Sequence, residues 1–597
     1  VFHSLRTFID ELDRRGDLVR VDVPVASRLE IAEIHRRVIA ADGPALLFRS
    51  VDGGDTPVVT NLFGTLDRAR LAFGGRPHRI IEDLVEIATR SMPPKPRDLW
   101  QRRQTLGSLL RLGTRDGRRG PVMDVVEPPR LTQLPALTSW PEDGGPFLTL
   151  PLVYTEHPDG HGHNLGMYRI QIHDDSTTGM HWQIGKGGGF HHALAEARGT
   201  ALPATVFLGG PPALILAAIA PLPENVPELV LASLISGAKL GRWTGVNGLP
   251  VPVESEFALM GSVPPTVRRP EGPFGDHYGY YSLEHDYPVL QVEAVAHRRD
   301  AILPATVVGK PRQEDFYIGD LLTELLSPIF PVVMPAVERL WSYGETGFHS
   351  LSAAVVKPQR YRREAMASAF RILGEGQLSL TKFLLVTDRP VDLSDFTATL
   401  EHVLERMDPR TDLYVFSNLS MDTLDYTGPE VNLGSKGVLL GVGDPIRTLP
   451  REFSAAEVPQ GVGAIRPFCG GCLVVDGPAW EDDPELGSRL AGHPSMADWP
   501  LVVLCDDADV CTRSPIRFLW TTFTRFEPAA DIHARHSVHR HHLVYEGPVV
   551  IDARMKPGYP DELFCDPETA ALVDRRWKEY FPDRDVEMGD SDRGHLD

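Results

Sequence analysis

Apolar residues at Leu5, Phe8, Ile9 and Leu12 recur at helical spacing behind Ser4, a residue able to cap a helix start, and Gly16 supplies the stop. The period then shortens to two. Val19, Val21 and Val23 alternate with Arg20 and Asp22 and predict a strand, followed by a helix over 29–41 closed by Gly43 and a second strand over 45–51. This is an α/β opening. Residues 92–129, rich in Pro, Arg and Gly, hold no sustained period and predict a linker. From Leu150 short strands dominate (167–173, 205–208, 289–295 and 302–308), broken by glycine-rich turns and one helical pair over 211–236. Beyond residue 330 helix and strand alternate again: a helix over 362–373, a strand over 382–387, a helix over 393–407 and a strand over 412–416. No internal repeat is visible, and the acidic tail beyond Asp583 reads as mobile.

A chain of 597 residues exceeds a single core and predicts two or three domains. At 42% hydrophobic and 24% charged it has the composition of a folded globular protein. A formal charge of −21 with no compensating basic run argues against a nucleic-acid partner. Five cysteines form no disulfide framework and fit a reducing, cytoplasmic compartment. Cys469 and Cys472 make a CxxC that has no second pair to complete a zinc site, and are read as ordinary thiols in a loop. The start Val1-Phe2-His3-Ser4 carries no basic-then-apolar signal segment. The uncharged stretch 200–223 is cut by Pro203, Gly209, Gly210, Pro211, Pro212, Pro221 and Pro223 into a short strand and helix, so no membrane span is expected there.

Four segments carry candidate chemistry. Glu271-Gly272-Pro273-Phe274-Gly275-Asp276 cannot be a helix interior; a tight turn there can aim both carboxylates at one cavity. Two acids in one site tend to separate in pKa, one ionised beside a cation and one holding a proton. His163-Asn164-Leu165-Gly166-Met167-Tyr168-Arg169 supplies an amide oxygen for a hard cation and a guanidinium fork for a carboxylate. Pro227-Glu228 opens an apolar helix with a carboxylate. Asn432-Leu433-Gly434-Ser435-Lys436-Gly437 sets a lysine among small residues that a phosphate could approach.

Together these segments resemble the UbiD family of decarboxylases, from the first helix to about residue 480. The resemblance implies an α+β and α/β multidomain fold: an N-terminal α/β domain with linker (1–125), a central split β-barrel that binds flavin (126–330) and a C-terminal α/β assembly domain with tail (331–597). It implies a carboxy-lyase acting on an aromatic, heteroaromatic or α,β-unsaturated acid, in either direction, through a covalent adduct with prenylated FMN. Arg169, Glu271 and Asp276 would form the catalytic network, with Asp276 as the acid that protonates the product. Asn164, Met167, Tyr168, Arg169, Ala220, Glu228 and Lys436 would contact the cofactor. Asn164 and Glu228 would ligate a divalent cation such as Mn2+, and K+ would sit near the 218–220 backbone and Glu228. A flavin prenyltransferase would supply the cofactor, and a homo-oligomer, dimer or hexamer, is implied.

One position departs from the pattern. The family's metal-binding histidine after the tryptophan corresponding to Trp182 falls at Gly185, leaving His181, His191 or Lys186 to compensate. The cluster His533, His536, His539, His541 and His542 lacks a matching cysteine or carboxylate framework and is not read as a metal site. Two rivals stand beside the decarboxylase: an ordinary flavin oxidoreductase, for which no GxGxxG follows a strand, and a non-catalytic subunit of a UbiD-type carboxylase assembly. The substrate is not legible in the sequence.

Overall fold

The computed structural model describes residues 2–90, 112–117, 119–182, 187–220, 227–310, 312–358, 361, 364–454 and 457–590. They form two compact units: the residues up to Leu325 together with those from Asp561 onward, and Leu326–Pro560.

In the first unit, helix α1 (Leu5–Arg14) starts in a capping box in which the Ser4 hydroxyl accepts from the Thr7 N–H and the Thr7 side chain accepts from the Ser4 N–H. Leu5, Phe8, Ile9 and Leu12 are all buried, worth about 1.5–3 kcal/mol each. Strand β1 (Leu18–Val21), helix α2 (Glu30–Ala40), β2 (Ala45–Phe48) and β3 (Val58–Thr60) follow, close to the positions the pattern predicts. The linker expected over 92–129 lies largely outside the described residues.

The central region is built on an eight-stranded sheet. Its strands are β4 (Leu152–Glu156), β5 (His163–Met167) and β6 (Thr177–Gly179), then, after helix α3 (Gly187–Ala197), β7 (Leu202–Gly209). Helices α4 (Ala213–Ile219) and α5 (Glu228–Ser236) precede β8 (Ser255–Val263), β9 (Arg268–Glu271) and β10 (His285–His297). The path runs β6-β10-β8-β7-β4-β5 through antiparallel pairs, with β9 and Val125–Glu127 also on β10. It does not close into a barrel. A short strand β11 (Leu303–Pro304) returns to the N-terminal sheet, ordered β1-β2-β3-β11.

Val21, Ile31 and Phe48 share one continuous core with Leu148, Val153, Ile170 and Leu259. The boundary expected at 330/331 falls within a few residues of the division between units. The uncharged 200–223 stretch is the strand and helix expected as far as Ala220. One helical stretch, Glu314–Val333, is long and apolar enough to cross a membrane by length and composition, with mean hydropathy 1.4. Pro328 and Pro331 fall inside it, and its first part buries Phe316, Ile318, Leu321 and Leu325.

The second unit contains an internal repeat, which the pattern of residues along the chain does not reveal. Its first half runs β12 (Val337–Ser342), β13 (Leu351–Val356), α6 (Ala365–Leu373), β14 (Phe383–Thr387), α7 (Phe396–Leu404), α8 (Pro409–Asp412), β15 (Leu413–Leu419) and β16 (Gly434–Gly441). The second half runs β17 (Ile465–Cys469), β18 (Cys472–Asp476), α9 (Leu486–Gly492), β19 (Leu501–Cys505), α10 (Pro515–Thr524), α11 (Pro528–Asp531), β20 (Ile532–His539) and β21 (His542–Asp552). The sheets are ordered β12-β13-β14-β16-β15 and β17-β18-β19-β21-β20. In both, the outer pairs are antiparallel and the two inner pairs parallel.

The echo in sequence is short: Asp408-Pro409-Arg410-Thr411-Asp412 against Glu527-Pro528-Ala529-Ala530-Asp531. In each, the last carboxylate accepts from the first N–H at 2.7 Å. The CxxC flanks the Gly470-Gly471 turn of the β17–β18 hairpin, with both thiols free and buried. The histidine cluster lies on the β20–β21 hairpin, whose Arg540-His541 turn takes positive φ at both residues.

Helix α12 (Pro567–Tyr580) belongs to the first unit. Arg576 and Tyr580 reach Glu30 on α2, and Arg37 pairs with Asp574. The tail after Asp583 is docked rather than mobile as far as Asp590: Val586 is buried, its carbonyl accepts from Trp577, and the Gly589 N–H donates to the Arg37 carbonyl.

Candidate active site

The strand predicted over 167–173 is interrupted. β5 ends at Met167 and pairing resumes at Ile170, which leaves Tyr168 and Arg169 in the break. From there the buried Arg169 guanidinium forks onto both carboxylates of the 271–276 segment. Nε and Nη2 donate to Glu271 Oε1 and Oε2 at 2.8 and 2.9 Å, and Nη1 donates to Asp276 Oδ2 at 2.5 Å. Nη2 also donates to Ser282 Oγ at 2.9 Å, and the guanidinium carbon stands 4.7 Å from the centre of the Phe274 ring.

The turn that aims the two acids has its own support. Glu271 ends β9, Gly272 takes φ +97, and a Cβ at Gly275 would lie 2.0 Å from the Trp140 ring, so only glycine fits there. The Gly275 N–H donates to Asp143 Oδ1 at 2.8 Å, while Asp143 Oδ2 accepts from Ser139 and Trp140 N–H. Burial pushes the Asp143 carboxyl up to about 6 against those three bonds.

Both catalytic candidates are ionised in the resting site. Burial alone would raise Glu271, but the Arg169 charge and bonds from His181 and Arg169 bring it down to about 2. Burial is likewise outweighed at Asp276, where the His277 hydrogen bond and charge, then Arg169, hold the carboxyl well below its usual range. The split into one ionised and one protonated acid is therefore corrected: one guanidinium reaches both, and each has its own imidazole. His181 Nδ1 lies 3.1 Å from Glu271 Oε2, and His277 Nδ1 lies 2.7 Å from Asp276 Oδ1. An ionised carboxylate only accepts, so both Nδ1 atoms carry the proton in these contacts. Burial and Arg169 lower the His181 pKa, against the raising influence of Glu271. Asp143, His277 and Ser282 escaped sequence reasoning, His277 being visible only as a neighbour of the motif; His181, expected as a substitute metal ligand, faces Glu271 instead.

A second cluster adjoins Tyr168. Asn164 Nδ2 faces Glu228 Oε1 at 3.4 Å, and the Tyr168 hydroxyl donates to Asn164 Oδ1 at 3.2 Å. Among the described residues Glu228 Oε2 is buried without a hydrogen-bond partner, and burial raises the pKa of its carboxyl. His163 Nε2, also without a hydrogen-bond partner, stands 3.6 Å from that oxygen. A buried carboxylate oxygen, an amide oxygen and an imidazole nitrogen brought together suit a hard or borderline divalent cation. Beside them a Cβ at Gly187, the first residue of α3, would lie 2.7 Å from the Tyr168 hydroxyl and 3.0 Å from Asn164 Oδ1. The glycine lets the first turn of α3 lie close against Tyr168 and Asn164.

Met167 is half-buried at the end of β5, and Ala220 caps α4 at its C-terminal end, where last-turn carbonyls lack helical donors. Gly185 and Lys186 lie outside the described residues. Of the histidines expected to compensate, His181 is engaged by Glu271 and His191 by Thr155 Oγ1 at 2.9 Å. His163 is the imidazole that approaches Glu228. Lys436 lies in the second unit on β16, a wholly buried strand rather than an open loop, and its Nζ donates to the Thr381 carbonyl at 2.9 Å.

Comparison with known proteins agrees with this layout. Three family models match in order: the N-terminal domain of 3-octaprenyl-4-hydroxybenzoate carboxy-lyase over residues 9–88, its Rift-related domain over 114–311 and its C-terminal domain over 316–441. A Chlamydia pneumoniae protein named as a subunit of 4-hydroxybenzoate decarboxylase is 51% identical over 587 residues, covering 98% of this chain and 99% of that one. An uncharacterized Chlamydia trachomatis protein is also 51% identical, over 97% of this chain and all of its own length. Among solved structures, the Sedimentibacter hydroxybenzoicus vanillic acid decarboxylase in closed form shares the fold at TM-score 0.66 and 23% identity, over 77% of this chain and 97% of that one. HmfF from Pelotomaculum thermopropionicum, solved with FMN, does so at TM-score 0.61 and 23% identity, over 76% and 98%. With all three domains matched and close relatives aligned along nearly its whole length, the chain belongs to the UbiD family of carboxy-lyases.

Proposed function

We propose that this chain decarboxylates an aromatic or α,β-unsaturated acid with prenylated FMN, and that Arg169, Glu271 and Asp276 serve the reacting centre. The observation that carries the reading is the single buried guanidinium shared by two carboxylates. A non-catalytic subunit would have no need to keep three charges buried in mutual register. The substrate class follows from the relatives' names, which specify 4-hydroxybenzoate, vanillic acid and 3,4-dihydroxybenzoic acid; a hydroxylated benzoate is the reading favoured here.

Loss of carbon dioxide from an sp² carbon needs an electron sink, which the prenylated flavin supplies when bound. The chain's own residues then divide the remaining work. Glu271, fully buried and held by two parallel bonds, fixes Arg169. Asp276 meets Arg169 through one oxygen only, and its other oxygen faces His277, whose side chain is 24% exposed. Once the Arg169 contact loosens, Asp276 can take a proton along that side and return it to the product carbon. Asn164 and Glu228, with His163 as the nearest imidazole, would hold Mn2+, and carbonyls ending α4 near Ala220 would face K+. The chain works as a cytoplasmic homo-oligomer, with a flavin prenyltransferase as the source of its cofactor.

Protein made together with a flavin prenyltransferase is expected to carry prenylated FMN, read by absorbance and mass spectrometry of the released cofactor. Recovery of unmodified flavin alone, or of none, under conditions that load a known relative would sink the cofactor assignment.

Manganese content checks the cation site separately. Asn164→Ala, Glu228→Gln and His163→Ala should each weaken retention at least about tenfold, the scale reached even by partners outside the ligand set. Gly185→His should tighten it. Unchanged metal content in all four variants would show that the site lies elsewhere.

A further inference from the structure

The two halves of the second unit are joined as two subunits of a symmetric dimer would be. Each has a private core: Val337, Ala354, Met366, Ile372 and Leu384 in the first, Leu473, Leu486, Leu490, Trp499 and Val502 in the second. They share a third core, in which Leu351, Phe383 and Leu439 of the first half meet Val474, Leu501 and Phe523 of the second. The contacts across it are reciprocal. Helix α8 packs on β21, while its counterpart α11 packs on β16, the counterpart of β21. The Ala529 N–H on α11 donates to Ser435 Oγ on β16 at 2.8 Å, and a Cβ at Gly547 on β21 would lie 3.6 Å from Pro409 Cγ on α8. The turn between β17 and β18 donates from Gly470 N–H to Glu401 on α7, and the turn between β12 and β13 packs on α10, the counterpart of α7. Element i meets j and j meets i, which defines an isologous interface.

The family's C-terminal model stops at residue 441, before the second half begins. Sedimentibacter decarboxylase reaches 97% of its own length on 77% of this chain. We propose that residues 465–552 are a second copy of the 337–441 module fused in cis, standing on the surface that a second copy of the chain would otherwise cover. That surface is closed within one chain, so self-association of this protein uses other faces.

The test is made on the full chain. In Pro409→Cys with Gly547→Cys, the added Cβ at 547 lies 3.6 Å from where Pro409 Cγ stands, close enough for a disulfide between the new side chains, and apart from its chain neighbours no other described atom lies within 4 Å of it. Two thiols lose two electrons and two protons to added oxidised glutathione. The expected product is a 409–547 link inside one chain at every protein concentration, seen by non-reducing electrophoresis and peptide mass spectrometry, with the single variants as controls. The reciprocal pair, Ser435→Cys with Ala529→Cys, should behave alike and decides the matter if the first variant does not fold. Covalent dimers linked between chains through either pair would overturn the proposal. So would thiols that stay free and alkylatable in folded protein.

Discussion

Asp276→Asn should give a folded, cofactor-loaded chain whose turnover falls by about 10²–10⁴-fold, the usual worth of a positioned proton donor. The amide keeps the shape of the carboxylate and can still accept from Arg169 Nη1 through its oxygen, but it has no acidic proton to give. Its nitrogen must then face His277 Nδ1, so that ring changes tautomer and the path on that side is altered as well. Glu271→Gln should act differently. With its nitrogen at the Oε2 position it breaks one of the two parallel bonds to Arg169 and the contact with His181, so cofactor loading falls together with chemistry. Melting temperature, cofactor content and solvent-deuterium exchange into the product separate the two variants. If folded, loaded Asp276→Asn turned over and exchanged protons at the parent rate, Asp276 would not be the donor and the catalytic assignment would have to be abandoned.

Arg169→Met is expected to cost about 3–5 kcal/mol at neutral pH, because it leaves two buried carboxylates without their cation. The pH dependence identifies the cause. In the parent, Glu271 has a folded pKa of about 2, below its ordinary 4.5, so its stabilisation is complete above about pH 4.5 and is lost as pH falls toward 2. Without the guanidinium, Glu271 loses the charge that most opposes its burial and its carboxyl moves upward, so the variant gains stability as it protonates below neutrality. The gap between parent and variant should therefore narrow from pH 7 to pH 5 in urea unfolding. A gap constant across that interval would place the effect in lost packing against Phe274 rather than in the charges.

What the sequence made legible was local. The Ser4 cap and the 5, 8, 9, 12 spacing specify α1 because one amphipathic helix needs only one buried face. The acids at 271 and 276 were legible for a similar reason, since proline and glycine between them confine the backbone to a turn. Their partners were not: Asp143 supports the turn from far upstream, and no spacing along the chain relates the two. The setting of Lys436 was not legible because glycine and serine around a lysine suit a loop and a crowded inner strand equally well; only the pairing with β14 and β15 distinguishes them. The repeat escaped because it resides in strand order. Its halves share little beyond one capped Asp/Glu-Pro turn, and the connection before their last strands is long over 420–433 but only Arg540-His541 in the second half.

Helix α12 gives the chain an order of assembly during synthesis. Its Val573 and Tyr580, with Phe581 and Val586, complete the core that holds Val21, Ile31 and Phe48, yet they are made only after all of Leu326–Pro560. On the ribosome, where domains ordinarily mature in the order they emerge, the later-made unit can finish first while the earlier one waits for its missing side. Until then Glu30, buried in the finished protein, lacks Arg576 and Tyr580. A nascent chain stalled near residue 560 would thus present a mature second unit and a protease-sensitive, unfinished catalytic one.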